Sequence, residues 1–133
     1  MTWLLVALGS ALGGIARHAT SLFVGPRYGE AFPWATLIVN VTGSFAIGIC
    51  AALLVAQRSS HAQWLRELVM IGFLGGFTTF SAFSLQTLQM MRDGKMSFAL
   101  LNILGHVVTC LIAVWLGYLL VARPLGISVG HSP

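Results

Sequence analysis

The distribution of charge restricts this chain more than any other feature: Pro33 to Ala56, Leu68 to Met91 and Met96 to Ala122 contain no Asp, Glu, Lys or Arg. A fourth stretch, Trp3 to Val24, has Arg17 and His18 as its only titratable residues. A helix that crosses a bilayer needs about 20 mostly apolar residues, and each stretch supplies them. The spans predicted are therefore 3–24, 33–56, 68–91 and 96–122, within one domain covering 1–133. Only 8% of the residues are charged and 57% are hydrophobic, whereas a soluble domain has about a quarter of its residues charged. The first stretch has no basic leading segment and no small-residue cleavage site behind a short apolar core, so it reads as a retained helix. The expectation is an all-α, multi-pass membrane protein.

The same pattern excludes several function classes. The net charge of +4 comes from basic residues scattered among the spans, with no basic cluster or helix to hold nucleic acid. Anionic lipid headgroups are the expected partners of such charges. Cys50 and Cys110 both fall inside spans, where thiols act as small hydrophobes and build no disulfide framework. No serine or histidine stands at triad spacing with an acid, and no phosphate-binding loop follows a strand, so no enzyme is expected.

With four spans the charges can be counted by side. Arg27, Arg92 and Lys95 fall on one side and Arg58, Arg66 and Arg123 on the other. Loop charge bias fixes orientation, and a tie predicts weak orientation or none. Oppositely inserted copies can pair as an antiparallel homodimer, the symmetry that inverted repeats give a single longer chain. Gly9 with Gly13, and Gly72 with Gly76, form small-residue pairs that permit close helix approach.

Polar residues at membrane depth are costly and mark protein contacts or wet paths. Thr36, Asn40 and Ser44 recur every four residues in the second span, stacking on one helical face. Asn102, His106 and Cys110 do the same in the fourth, with Thr109 beside them. The third span carries Gly75-Gly76-Phe77-Thr78-Thr79, poor helix material that predicts a break. A break frees carbonyls, hard oxygen ligands suited to a cation such as Na⁺. Beyond it, Phe80 and Phe83 share a face, and their electropositive ring edges can line an anion path. Arg17 can either snorkel to the interface or attract anions from a vestibule.

Taken together, these segments resemble the CrcB/Fluc fluoride channel family. Gly75 to Ser84 is similar to that family's G-G-x-T-T-F-S-T-F signature, Gly13 to Arg17 to its G-x-x-x-R, and Thr36 to Asn40 to its T-L-x-V-N. The resemblance implies passive fluoride export across the cell (inner) membrane by a dual-topology homodimer. It implies a structural Na⁺ held by main-chain carbonyls at Gly75 and Thr78. It further implies a fluoride pore drawing on Thr36, Asn40, Phe80, Ser81, Phe83, His106 and Cys110, with Arg17 in the vestibule. Ala82, Ala35 and Cys110 depart from the residues usual at those places, and a thiol is a weaker hydrogen-bonding group than a hydroxyl. The competing class is a small proton-coupled multidrug exporter, which needs an acid within a span. Glu30, Glu67 and Asp93 are all expected in loops.

Overall fold

The computed structural model describes residues 2–28, 31–56 and 61–127, and every regular element among them is helical. Helix α1 spans Thr2–Tyr28 and α2 spans Trp34–Ala56. The third helical run is composite. It comprises α3 (His61–Trp64), a π-helical segment (Leu65–Leu74), α4 (Gly75–Phe77) and, after two extended residues, α5 (Phe80–Arg92). Helix α6 spans Met96–Ala122. Arg58 and Glu30 lie outside the described residues.

Three of these units are long and apolar enough to cross a membrane: Trp34–Ala56, Ala62–Arg92 and Met96–Ala122. Helix α1 matches α6 in length at 27 residues but is not among them. Its glycines, Arg17, His18, Thr20, Ser21 and Arg27 dilute its apolar content. It also runs past Val24, and the Arg27 guanidinium bonds the Phe23 carbonyl near the helix end. The third run likewise begins earlier than the charge-free stretch did. Glu67, expected in a loop, lies in the first turn of the π segment and is buried. A charge near a span's end is tolerated in a way that one at its centre is not.

Helix α5 turns into α6 through Asp93, Gly94 and Lys95. The Gly94 N–H bonds Met91 O at 3.1 Å and the Lys95 N–H bonds Met90 O at 2.9 Å, a Schellman closure. Gly94 takes the left-handed backbone it requires, at φ +72°. Phe32, Met90 and Ala99 pack there with Leu37, tying the start of α2 to the α5–α6 corner.

Close backbone approach organises the rest. A Cβ added at Gly48 would strike Val114 O, and one at Gly117 would strike Phe45 O, so α2 and α6 touch main chain to main chain. The two small-residue pairs of the sequence meet each other in the same way. Gly9 and Gly13 of α1 press on Leu68, Gly72 and Phe73, while Gly76 presses on Ser10. Both pairs are thus used within one chain. Large apolar side chains from Trp3 to Leu125 remain exposed, and among the described residues the large side chains fully enclosed are Val39 and Asn102.

A candidate ion path at the break in the third helical run

The diglycine does not itself interrupt the helix, since Gly75 keeps helical angles of φ −64° and ψ −37°. The extended residues are Thr78, at φ −77° and ψ 157°, and Thr79, at φ −152° and ψ 112°. Thr79 then caps α5: its Oγ1 accepts from the Ala82 N–H at 3.1 Å and lies 3.2 Å from Ser81 Oγ. A capping hydroxyl is worth about 1 kcal/mol. Thr79→Ala should lower stability by about that amount and Thr79→Ser should restore it, as read by thermal unfolding in detergent.

The break is held from across the bundle by Asn40. Its Oδ1 accepts the Thr79 N–H at 2.8 Å, and its Nδ2 donates to Thr79 O at 3.1 Å. One carboxamide therefore satisfies both main-chain groups of a residue that is 8% exposed. In an unbroken helix the Thr79 N–H would reach Gly75 O, and the Ala82 N–H would reach Thr78 O. Both donors are diverted, so the carbonyls of Gly75 and Thr78 lose their regular partners. Thr78 Oγ1 is occupied in turn, donating to Leu74 O at 2.9 Å.

A cavity of about 460 Å³ opens at this point, and Asn40, Ser44, Gly75, Thr78, Phe80, Phe83, His106 and Cys110 are among its lining residues. Phe80 and Phe83 lie with ring centroids 5.3 Å apart, and Phe83 lies 4.6 Å from the His106 ring. Phe83 is only 8% exposed, whereas Phe80 is 78% exposed and stands uncovered at the cavity's edge.

Not every residue singled out in the sequence gathers there. Thr36 is buried but lines a second cavity of about 820 Å³, between the end of α1, the start of α2 and α5. Ser81 meets the site only through Thr79. Thr109 is exposed and its hydroxyl bonds Gly105 O on its own helix. Arg17 is half-buried on α1 and lines neither cavity.

Sequence reasoning missed Thr87. Asn102 Nδ2 donates to Thr87 Oγ1 at 2.8 Å, and that hydroxyl donates to Phe83 O at 2.8 Å. The chain fastens the Phe83 turn to α6. Its one sequence signal is the four-residue spacing from Phe83 to Thr87, which is common on helices. His106 Nδ1 lies 3.0 Å from Asn102 O. A carbonyl can only accept, so Nδ1 carries a proton.

A family model described as CrcB-like protein, Camphor Resistance (CrcB), matches residues 4–118. The chain belongs to this family. Among its CrcB relatives, the protein named fluoride-specific ion channel FluC in Opitutus terrae is 52% identical over 118 residues, covering 88% of this chain and 89% of the relative. The relative of that name in Paramagnetospirillum magneticum is 48% identical, covering 89% of this chain and 93% of its own. In Solibacter usitatus a third is 43% identical and is matched over its whole length. The CrcB chain described here is accordingly a membrane protein.

Proposed function

We propose that this CrcB chain is a fluoride-specific channel that lets cytoplasmic fluoride leave passively across the cell's inner membrane. The observation that carries this reading is the Asn40–Thr79 clamp, which fixes the broken helix so that Phe80 and Phe83 meet at the cavity. A small, strongly hydrated anion needs several donors to replace its water, but none strong enough to trap it. Among the described residues, no Lys or Arg lines the cavity. Its donors are the second Nδ2 hydrogen of Asn40, the Ser44 hydroxyl, the Cys110 thiol and the electropositive ring edges. Thr36 and Ser81 extend the path on either side of the enclosed part, and Arg17 attracts anions toward it. The His106 ring packs on Phe83 and holds it in place at the path.

The cavity is open on the side where Phe80 is exposed, and in this reading a second, oppositely inserted copy covers it. Helix α1 acts as a fourth span, its polar residues facing protein, and the three-to-three balance of loop charges permits both orientations. The carbonyls of Gly75 and Thr78 fit a structural Na⁺. They are hard oxygens without their helical donors, both residues line the open cavity, and Gly75 has no side chain to cover its carbonyl. When bound, the ion supplies positive charge to offset the carbonyl dipoles that two facing breaks bring together.

Fluoride efflux from liposomes, read with a fluoride electrode, tests the reading through Phe80→Ile. An isoleucine keeps the bulk but has no ring edge. Loss of one such contact, about 1.4 kcal/mol in the transit barrier, slows efflux about tenfold. Unchanged efflux from the variant would remove the ring-lined path.

A further inference from the structure

Fluoride passage as described makes no use of Glu67. This side chain is 9% exposed. Its Oε1 accepts a hydrogen bond from Gln63 Nε2 at 3.0 Å, while Oε2 is buried with no hydrogen-bond partner among the described residues. A carboxylate withdrawn from water is strongly disfavoured unless a cation or donor meets it. The residue lines a cavity of about 630 Å³ together with Thr2, Leu54, Gln63, Arg66 and Ile71. Thr2 begins α1, Leu54 belongs to the last turn of α2, and Gln63 to Ile71 open the third run. Three helix ends therefore frame the cavity at one edge of the bundle. In a bilayer that edge is the headgroup layer.

We propose that this cavity binds the headgroup of a phospholipid bearing a primary ammonium, with the ammonium on Glu67 and the phosphate on Arg66. An ammonium brings charge and N–H donors to the buried, unpaired Oε2. The exposed guanidinium of Arg66 suits phosphate, and the two residues adjoin in the chain as the two charges adjoin in the headgroup. Leu54 and Ile71 offer apolar surface to the first methylenes of the acyl chains. A metal ion fits less well, because Glu67 is the one carboxylate in the lining, and no cluster of three or more His, Cys, Asp or Glu exists among the described residues. A choline headgroup keeps the charge but has no N–H, and an anionic headgroup brings no cation to Glu67.

Native mass spectrometry of the full chain with phosphatidylethanolamine, its mono- and dimethyl derivatives, phosphatidylcholine and phosphatidylglycerol tests this. Affinity should fall stepwise with methylation, by about tenfold from ethanolamine to choline, the effect of one charge-assisted hydrogen bond. Glu67→Gln should abolish that difference with fluoride efflux unchanged, and Arg66→Gln should weaken all the phospholipids alike. The methylation series in the wild type decides the matter even where a variant folds poorly. Equal affinity for ethanolamine and choline headgroups would overturn the site. So would a preference that survives Glu67→Gln, or one that appears only once the amino terminus is acetylated, which would give Glu67 to the chain's own amine.

Discussion

Asn40→Ala should abolish fluoride efflux and cost the protein about 2–6 kcal/mol of stability, because the Thr79 N–H and C=O would both be left buried and unpaired at about 1–3 kcal/mol each. No other side chain among the described residues bonds either group. The nearest relief for the N–H is Gly75 O, which is reached by closing the helix across the break and removing the turn that aims Phe80 and Phe83. Asn40→Asp separates the two consequences. It keeps an acceptor for the Thr79 N–H and should recover part of the stability, yet it sets a carboxylate in the anion's way and should leave efflux at the liposome background. Thermal unfolding in detergent and electrode-measured efflux on the same preparations check both. An Asn40→Ala protein with wild-type melting and efflux would show that the clamp is incidental.

Gly48→Ala should be the second large effect, and its sign is informative. Placing alanine for glycine in a helix ordinarily stabilises by up to about 1 kcal/mol. At Gly48 the added Cβ meets the Val114 carbonyl and lies 2.9 Å from Tyr118 N, and neither backbone group can swing away. Helices α2 and α6 must then part, at about 1–3 kcal/mol for overpacking. That separation also shifts Asn40 relative to His106 and Cys110, which lie on the same two helices. Gly14→Ala is the control, since a Cβ there has nothing within 4 Å. The expected result is a lowered unfolding temperature for Gly48→Ala and an unchanged or raised one for Gly14→Ala. Equal effects would mean that the α2–α6 contact is looser than its geometry indicates.

The contrast between local and distant determinants explains what the sequence made legible. Long runs without charge located α2 and α6 closely, because hydrocarbon excludes charge at any register. The same rule misplaced the start of the third run, since Arg66 and Glu67 sit near its end, where exclusion is weak. The polar stripe of α2 was visible as a four-residue period, but the partner of Asn40 lies 39 positions along the chain, and no local pattern announces it. For the same reason the four-residue period groups Thr36 with Asn40 and Ser44, while Thr36 lines a different cavity from theirs. The Gly-Gly-Phe-Thr-Thr run reads as poor helix material throughout, glycines and threonines alike. Its glycines stay helical, Gly76 admitting α1, while the threonines adopt the extended backbone. The π segment had no sequence signal. Gly75 N–H reaches Met70 O five residues back only in the setting of the packed bundle.

The most direct test of the central claim is fluoride release from liposomes holding the purified wild-type protein, followed with fluoride and chloride electrodes side by side. Rapid fluoride release with chloride retained is the result expected of a path built from the Asn40 amide and the ring edges of Phe80 and Phe83; no fluoride release from well-folded protein, or chloride released equally fast, would contradict it.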